Sequence, residues 1–75
     1  MVVLDELKRR LNLAFPDGEI YVASHDDVHF EARIQDVQFN SLSTIAQHRL
    51  VYQAIGPMMG RECHALTLET LEKMA

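Results

Sequence analysis

Apolar residues recur at Val3, Leu7, Leu11 and Ala14, with Leu4 widening the stripe. This is the spacing of one helical face turned toward a core. Asp5 and Glu6 near the start and Lys8-Arg9-Arg10 near the end carry the charge signs that a helix dipole favours. Asp5 to Arg9 and Glu6 to Arg10 are at i,i+4 pairing distance. Phe15-Pro16-Asp17-Gly18 predicts a stop and a turn. The period then changes to two. Ile20 and Val22 fall on one side and Tyr21 and Ala23 on the other. After the polar turn His25-Asp26-Asp27-Val28, Phe30, Ala32 and Ile34 oppose His29, Glu31, Arg33 and Gln35. Residues 19–35 therefore read as a β-hairpin with one buried face. Val37 and Phe39 break the parity of Ile34, which predicts a bulge or strand end near Gln35-Asp36.

Ser41 and Ser43 are both helix-capping residues. A second helix follows, with an inner stripe of Leu42, Ala46, Leu50 and Ala54 broadened by Ile45, Val51 and Ile55. Gly56-Pro57 ends it, glycine as a left-handed cap and proline as a block. Met58 to Arg61 has room for one short turn. Cys63 to Glu69 alternates again, with His64, Leu66 and Leu68 on one face, and Thr70–Ala75 is expected to close with a helical turn. Helix, strand, strand, helix, short turn, strand: this order predicts one α+β domain over residues 1–75, two-layered, with a mixed three-stranded sheet.

Composition narrows the function classes. A chain of 75 residues, 48% apolar and 24% charged, fits one small folded domain. A single cysteine excludes an internal disulfide, and no apolar run reaches membrane-spanning length, so an intracellular, cytoplasmic setting is expected. The net charge of −4 disfavours binding to phosphate backbones. The run Lys8-Arg9-Arg10 reads as a solvated helix face.

Phe39-Asn40-Ser41-Leu42-Ser43, His48-Arg49-Leu50-Val51-Tyr52, Ile55-Gly56, Met59 and His64-Ala65-Leu66 stand in an order and spacing that resemble the BolA family. His29-Phe30 resembles the opening of that family's second strand. The resemblance spans nearly the whole chain and implies a class II KH-like fold of order αββα(α)β, in agreement with the elements above. The chain is similar to the histidine-bearing, short-loop bacterial type. It lacks the Gly-Cys-Gly pattern of the cysteine-bearing branch and carries Leu71-Glu72-Lys73-Met74-Ala75 where many members have a Thr-Pro-Glu-Glu-Trp-like segment.

By its pattern alone, His64 is a histidine at the rim of the core, sharing a face with Leu66 and Leu68. The resemblance implies instead that it ligates a 2Fe-2S cluster, bridged to a monothiol glutaredoxin that supplies a cysteine, with glutathione supplying a second thiolate. A histidine from the hairpin loop would complete the set. His25 is favoured because it lies within the turn, and His29 is the alternative, read otherwise as a strand residue. Histidine in place of thiolate raises a cluster's potential. Cys63 neighbours His64 but points the other way on a strand, and reads as a free buried cysteine. No base stands at helix-local spacing to activate it, so an enzyme is not expected. The competing function is a KH-like nucleic-acid-binding transcriptional regulator contacting its ligand through His48 and Arg49. Against it, Gly56-Pro57-Met58-Met59-Gly60 is one residue longer than a Gly-x-x-Gly loop and has no basic side chain.

Overall fold

The computed structural model describes residues 3–61, 63 and 65–74. The first helix, α1, runs Val3–Ala14 and buries Leu7 and Leu11. Strands β1 (Glu19–Ser24) and β2 (His29–Gln35) pair antiparallel, from Glu19 opposite Gln35 to Ser24 opposite Phe30. After a 3-10 turn (Val37–Phe39), helix α2 (Thr44–Ile55) returns the chain so that β3 (Ala65–Leu71) lies parallel to β2. The sheet is mixed, with β2 central. A parallel pair needs such a crossover, and the helix supplies it.

One face of the sheet is covered. Phe30, Ala32 and Ile34 of β2 and Val22 of β1 join Leu7, Leu11, Val51 and Ile55 of the two helices in a single core. Phe15, from the α1–β1 connection, and Phe39, from the 3-10 turn between β2 and α2, meet within it at 5.2 Å between ring centres in a tilted arrangement. Phe39 is reached because β2 ends at Gln35. Buried Asp36 turns the chain by accepting the Gln38 N–H through Oδ1 at 2.8 Å. Its other oxygen lies against Gly18, where an added Cβ would come within 2.7 Å of it. Gly18 is thus held by close approach.

Several local expectations are corrected. Arg9 pairs with Glu6 at 2.6 Å rather than with Asp5, and Arg10 joins the same carboxylate at 2.9 Å. The basic run is also not at the end of α1, since the helix continues to Ala14. Arg10 instead donates through Nη1 to the Ile55 carbonyl at 2.6 Å, so this residue of the run serves the C-terminus of α2, where orphan carbonyls and the dipole favour a cation. The inner stripe of α2 is Gln47, Val51 and Ile55, flanked by half-buried Leu50 and Ala54. Leu42 is exposed, and Ile45 is 68% exposed. Ser43, not Ser41, caps α2, accepting the Ala46 N–H. Gly56 has φ +69° but ψ −148°, a conformation outside the left-handed helix that still favours glycine. The 3-10 turn after α2 lies at Gly56–Met58, earlier than expected. Strand β3 begins at Ala65 and runs through Leu71. Glu72 to Met74 then have no regular structure, in place of the expected helical turn. Backbone and side-chain bonds hold this tail: Asn40 Nδ2 donates to the Lys73 carbonyl and its Oδ1 accepts the Lys73 N–H.

Candidate histidine site at the hairpin end of the sheet

The hairpin turn is short and tightly bonded. Asp26 Oδ1 accepts the backbone N–H groups of Val28 at 3.0 Å and His29 at 2.9 Å. Ser24 Oγ donates to the His29 carbonyl at 2.7 Å and accepts the Asp27 N–H, and Asp27 takes a left-handed φ of +59°. Aspartate and serine fold local backbone in this way because their side chains reach N–H groups two or three residues on.

The second oxygen of Asp26 lies 2.8 Å from His29 Nδ1. That contact, then the N–H groups of His29 and Val28, holds the Asp26 carboxyl well below the usual carboxylate range. An ionised carboxylate only accepts, so Nδ1 carries the proton. In the neutral ring Nε2 is then left with its lone pair free. The His29 side chain remains 75% exposed. A carboxylate behind one ring nitrogen is the arrangement that orients metal-binding imidazoles. It fits an iron ligand.

His25, also exposed, lies in the turn and lines the same open depression of about 220 Å³, with Ala23, His29, Glu31 and Thr67. The register places His29 opposite Ala65, the residue that follows His64 in the chain. His64 itself lies outside the described residues. Among the described residues no three His, Cys, Asp or Glu side chains gather as a metal site.

The other candidates are elsewhere. Cys63 is fully buried and its thiol is pushed up by burial, away from the reactive thiolate. His48 and Tyr52 meet edge-on at 6.4 Å on α2, and exposed Arg49 is on the same helix. The helices lie across the core from the outward side chains of the sheet. In the glycine loop, Met58 is packed into the core.

The sequence offers His29 as the alternative to His25 and assigns it no carboxylate partner. The signal was present as Asp26-x-x-His29, an aspartate placed to bond the N–H three residues on.

The model of the family described as "BolA-like protein" matches residues 14–74. The chain belongs to the BolA-like family. An uncharacterized protein of Rickettsia prowazekii is 33% identical over 69 residues, covering 89% of this chain and 90% of that protein. A bolA protein homologue from Coxiella burnetii has a structure that superposes with a TM-score of 0.78 at 32% identity, over 96% of this chain and 92% of that one. BolA1 from Arabidopsis thaliana shares the fold, with a TM-score of 0.79 at 20% identity, over 93% and 90% of the two chains. The α+β order and mixed three-stranded sheet of this BolA-like chain agree with those structures. Among its described residues no helix is long and apolar enough to cross a membrane.

Proposed function

We propose that this BolA-like protein is a cytoplasmic adaptor rather than an enzyme. It binds a monothiol glutaredoxin and co-ligates a bridging 2Fe-2S cluster, in cluster trafficking or iron and redox regulation. Its own ligands are His64 and a hairpin histidine. The glutaredoxin cysteine and glutathione complete the set. The supporting observation is the Asp26–His29 pair at 2.8 Å, which orients an exposed imidazole on the strand that pairs with the residue after His64.

The geometry favours His29 over His25 as the second ligand. The preference for His25 assumes a loose turn that can move its ring. The turn is instead held by Ser24 and Asp26, and His25 has no described carboxylate behind it. When bound, the cluster would supply electron-transfer and iron-donating chemistry. The chain's own residues orient one imidazole, fix its tautomer and keep the neighbouring Cys63 thiol buried and inert. Assembling the protein with a monothiol glutaredoxin and glutathione under anaerobic cluster loading tests the reading. A stable heterocomplex with cluster absorption altered from that of the glutaredoxin alone is expected. Cluster bound only by glutaredoxin, with this chain eluting separately, would refute it.

A further inference from the structure

Among the described residues nothing covers the outer face of the sheet, and it runs directly from the histidine site. Outward positions follow from the register in rows across the strands: Ala23, Glu31 and Thr67, then Tyr21, Arg33 and Glu69. His29 heads the outward ladder of β2, and successive outward side chains on a strand are about 7 Å apart. The depression beside His29 and a second hollow beside Tyr21 share Glu31 and Thr67, so the surface is continuous.

A partner that shares a metal with His29 must approach within bonding distance of this end of the sheet. Its footprint must then spread over adjoining surface. The outer face is suited to receive it. Tyr21 is 55% exposed and Leu71 38% exposed, two large apolar groups in the open. Around them, among the described residues of the three strands, stand Glu19, Glu31 and Glu69 against one cation, Arg33, which already pairs with Glu69 at 3.4 Å. Asp26 and Asp27 add negative charge at the hairpin end.

Resting on the shared-cluster reading above, we propose that the outer sheet face is the docking surface for the thiol-bearing partner, which meets it with a cationic surface around an apolar centre. The area sets the character of the contact. The three strands, one of six residues and two of seven, span roughly 14 by 23 Å, about 300 Å² in projection. A stable interface takes about 800 Å² from each partner. Protein contact alone is therefore weak, and metal coordination through His29 holds the pair together.

The test uses the full chain and a glutathione-bound monothiol glutaredoxin, with and without cluster, titrated by calorimetry at two salt concentrations. Tyr21→Ala should weaken the loaded complex about tenfold or more, as loss of a central aromatic contact does. Glu31→Lys should weaken association and remove much of its salt dependence. Both positions are exposed, and circular dichroism would check that each variant folds. Arg49→Glu, on the opposite layer, should bind within about twofold of wild type. If the wild-type pair assembles a bridged cluster but both sheet variants bind unchanged, or only Arg49→Glu weakens binding, the docking surface is wrong while the shared-cluster reading stands. If the wild-type pair forms no shared cluster, that reading fails and this surface fails with it.

Discussion

Gln47 and Thr70 are joined across the two layers: the Thr70 hydroxyl donates to the Gln47 side-chain oxygen at 2.6 Å. The Gln47 amide nitrogen donates in turn to the carbonyls of Phe39 and Leu42, at 3.2 and 3.1 Å. One buried amide thus ties α2, β3 and the connection before α2. Gln47→Leu would keep the volume and strand the Leu42 carbonyl and the Thr70 hydroxyl, while the Phe39 carbonyl keeps the Leu42 N–H. We predict a loss of about 1–3 kcal/mol, read from urea unfolding midpoints. A stability equal to wild type would show that these bonds add nothing beyond what leucine packing supplies.

This residue also marks what the sequence could tell. Elements declared themselves through period: helical spacing at Leu7 and Leu11, alternation from Phe30 to Ile34, and parity loss at Val37. The inner face of α2 did not, because a core glutamine is invisible to a count of apolar residues, and Ile45 drew the stripe toward solvent. The end of the chain departs from the expected helical turn for a related reason. Its order comes from Asn40 and Gln35 bonds across the fold, not from a local pattern. At the site, His25 and His29 were legible as histidines near a turn. The carboxylate that distinguishes them is written only as the spacing Asp26-x-x-His29, which the folded turn converts into a bond.

Glu6 should govern part of the acid stability. Arg9 and Arg10 draw its carboxyl down from an ordinary 4.5 to about 2. A depressed folded-state value means the stabilisation is present above pH 4.5 and is lost as pH falls toward 2. Glu6→Gln should flatten the thermal stability profile across that window and leave its slope above it unchanged. High salt should shrink the difference, because the pair lies at the surface. Parallel profiles for the two proteins would exclude the network as the cause.

Cys63 should behave as a core residue. With its thiol buried and pushed up, an aromatic disulfide reagent should label it slowly in native buffer and at once in denaturant. Rapid native labelling would place the thiol in solvent and reopen it as a ligand.

Asp26→Asn should separate support from ligation. Asparagine can still accept the backbone N–H groups of Val28 and His29, so the hairpin should persist. The fixed charge behind the His29 ring is lost. Retention of cluster by the complex should fall about 10- to 100-fold, the usual cost of removing a carboxylate behind a metal-bound histidine. A loaded half-life equal to wild type would mean that Asp26 serves only the turn.

The central claim is that this chain places imidazole nitrogen on a shared cluster, with His29 as one donor. Pulsed electron paramagnetic resonance of the reduced complex reads that bond directly, with wild type, His29→Ala and His25→Ala compared under identical loading. The wild-type spectrum should contain strongly coupled histidine nitrogen. His29→Ala should lose one coupling, and His25→Ala should keep them all. A wild-type complex with no histidine coupling, or one whose couplings survive His29→Ala and vanish in His25→Ala, would contradict the account.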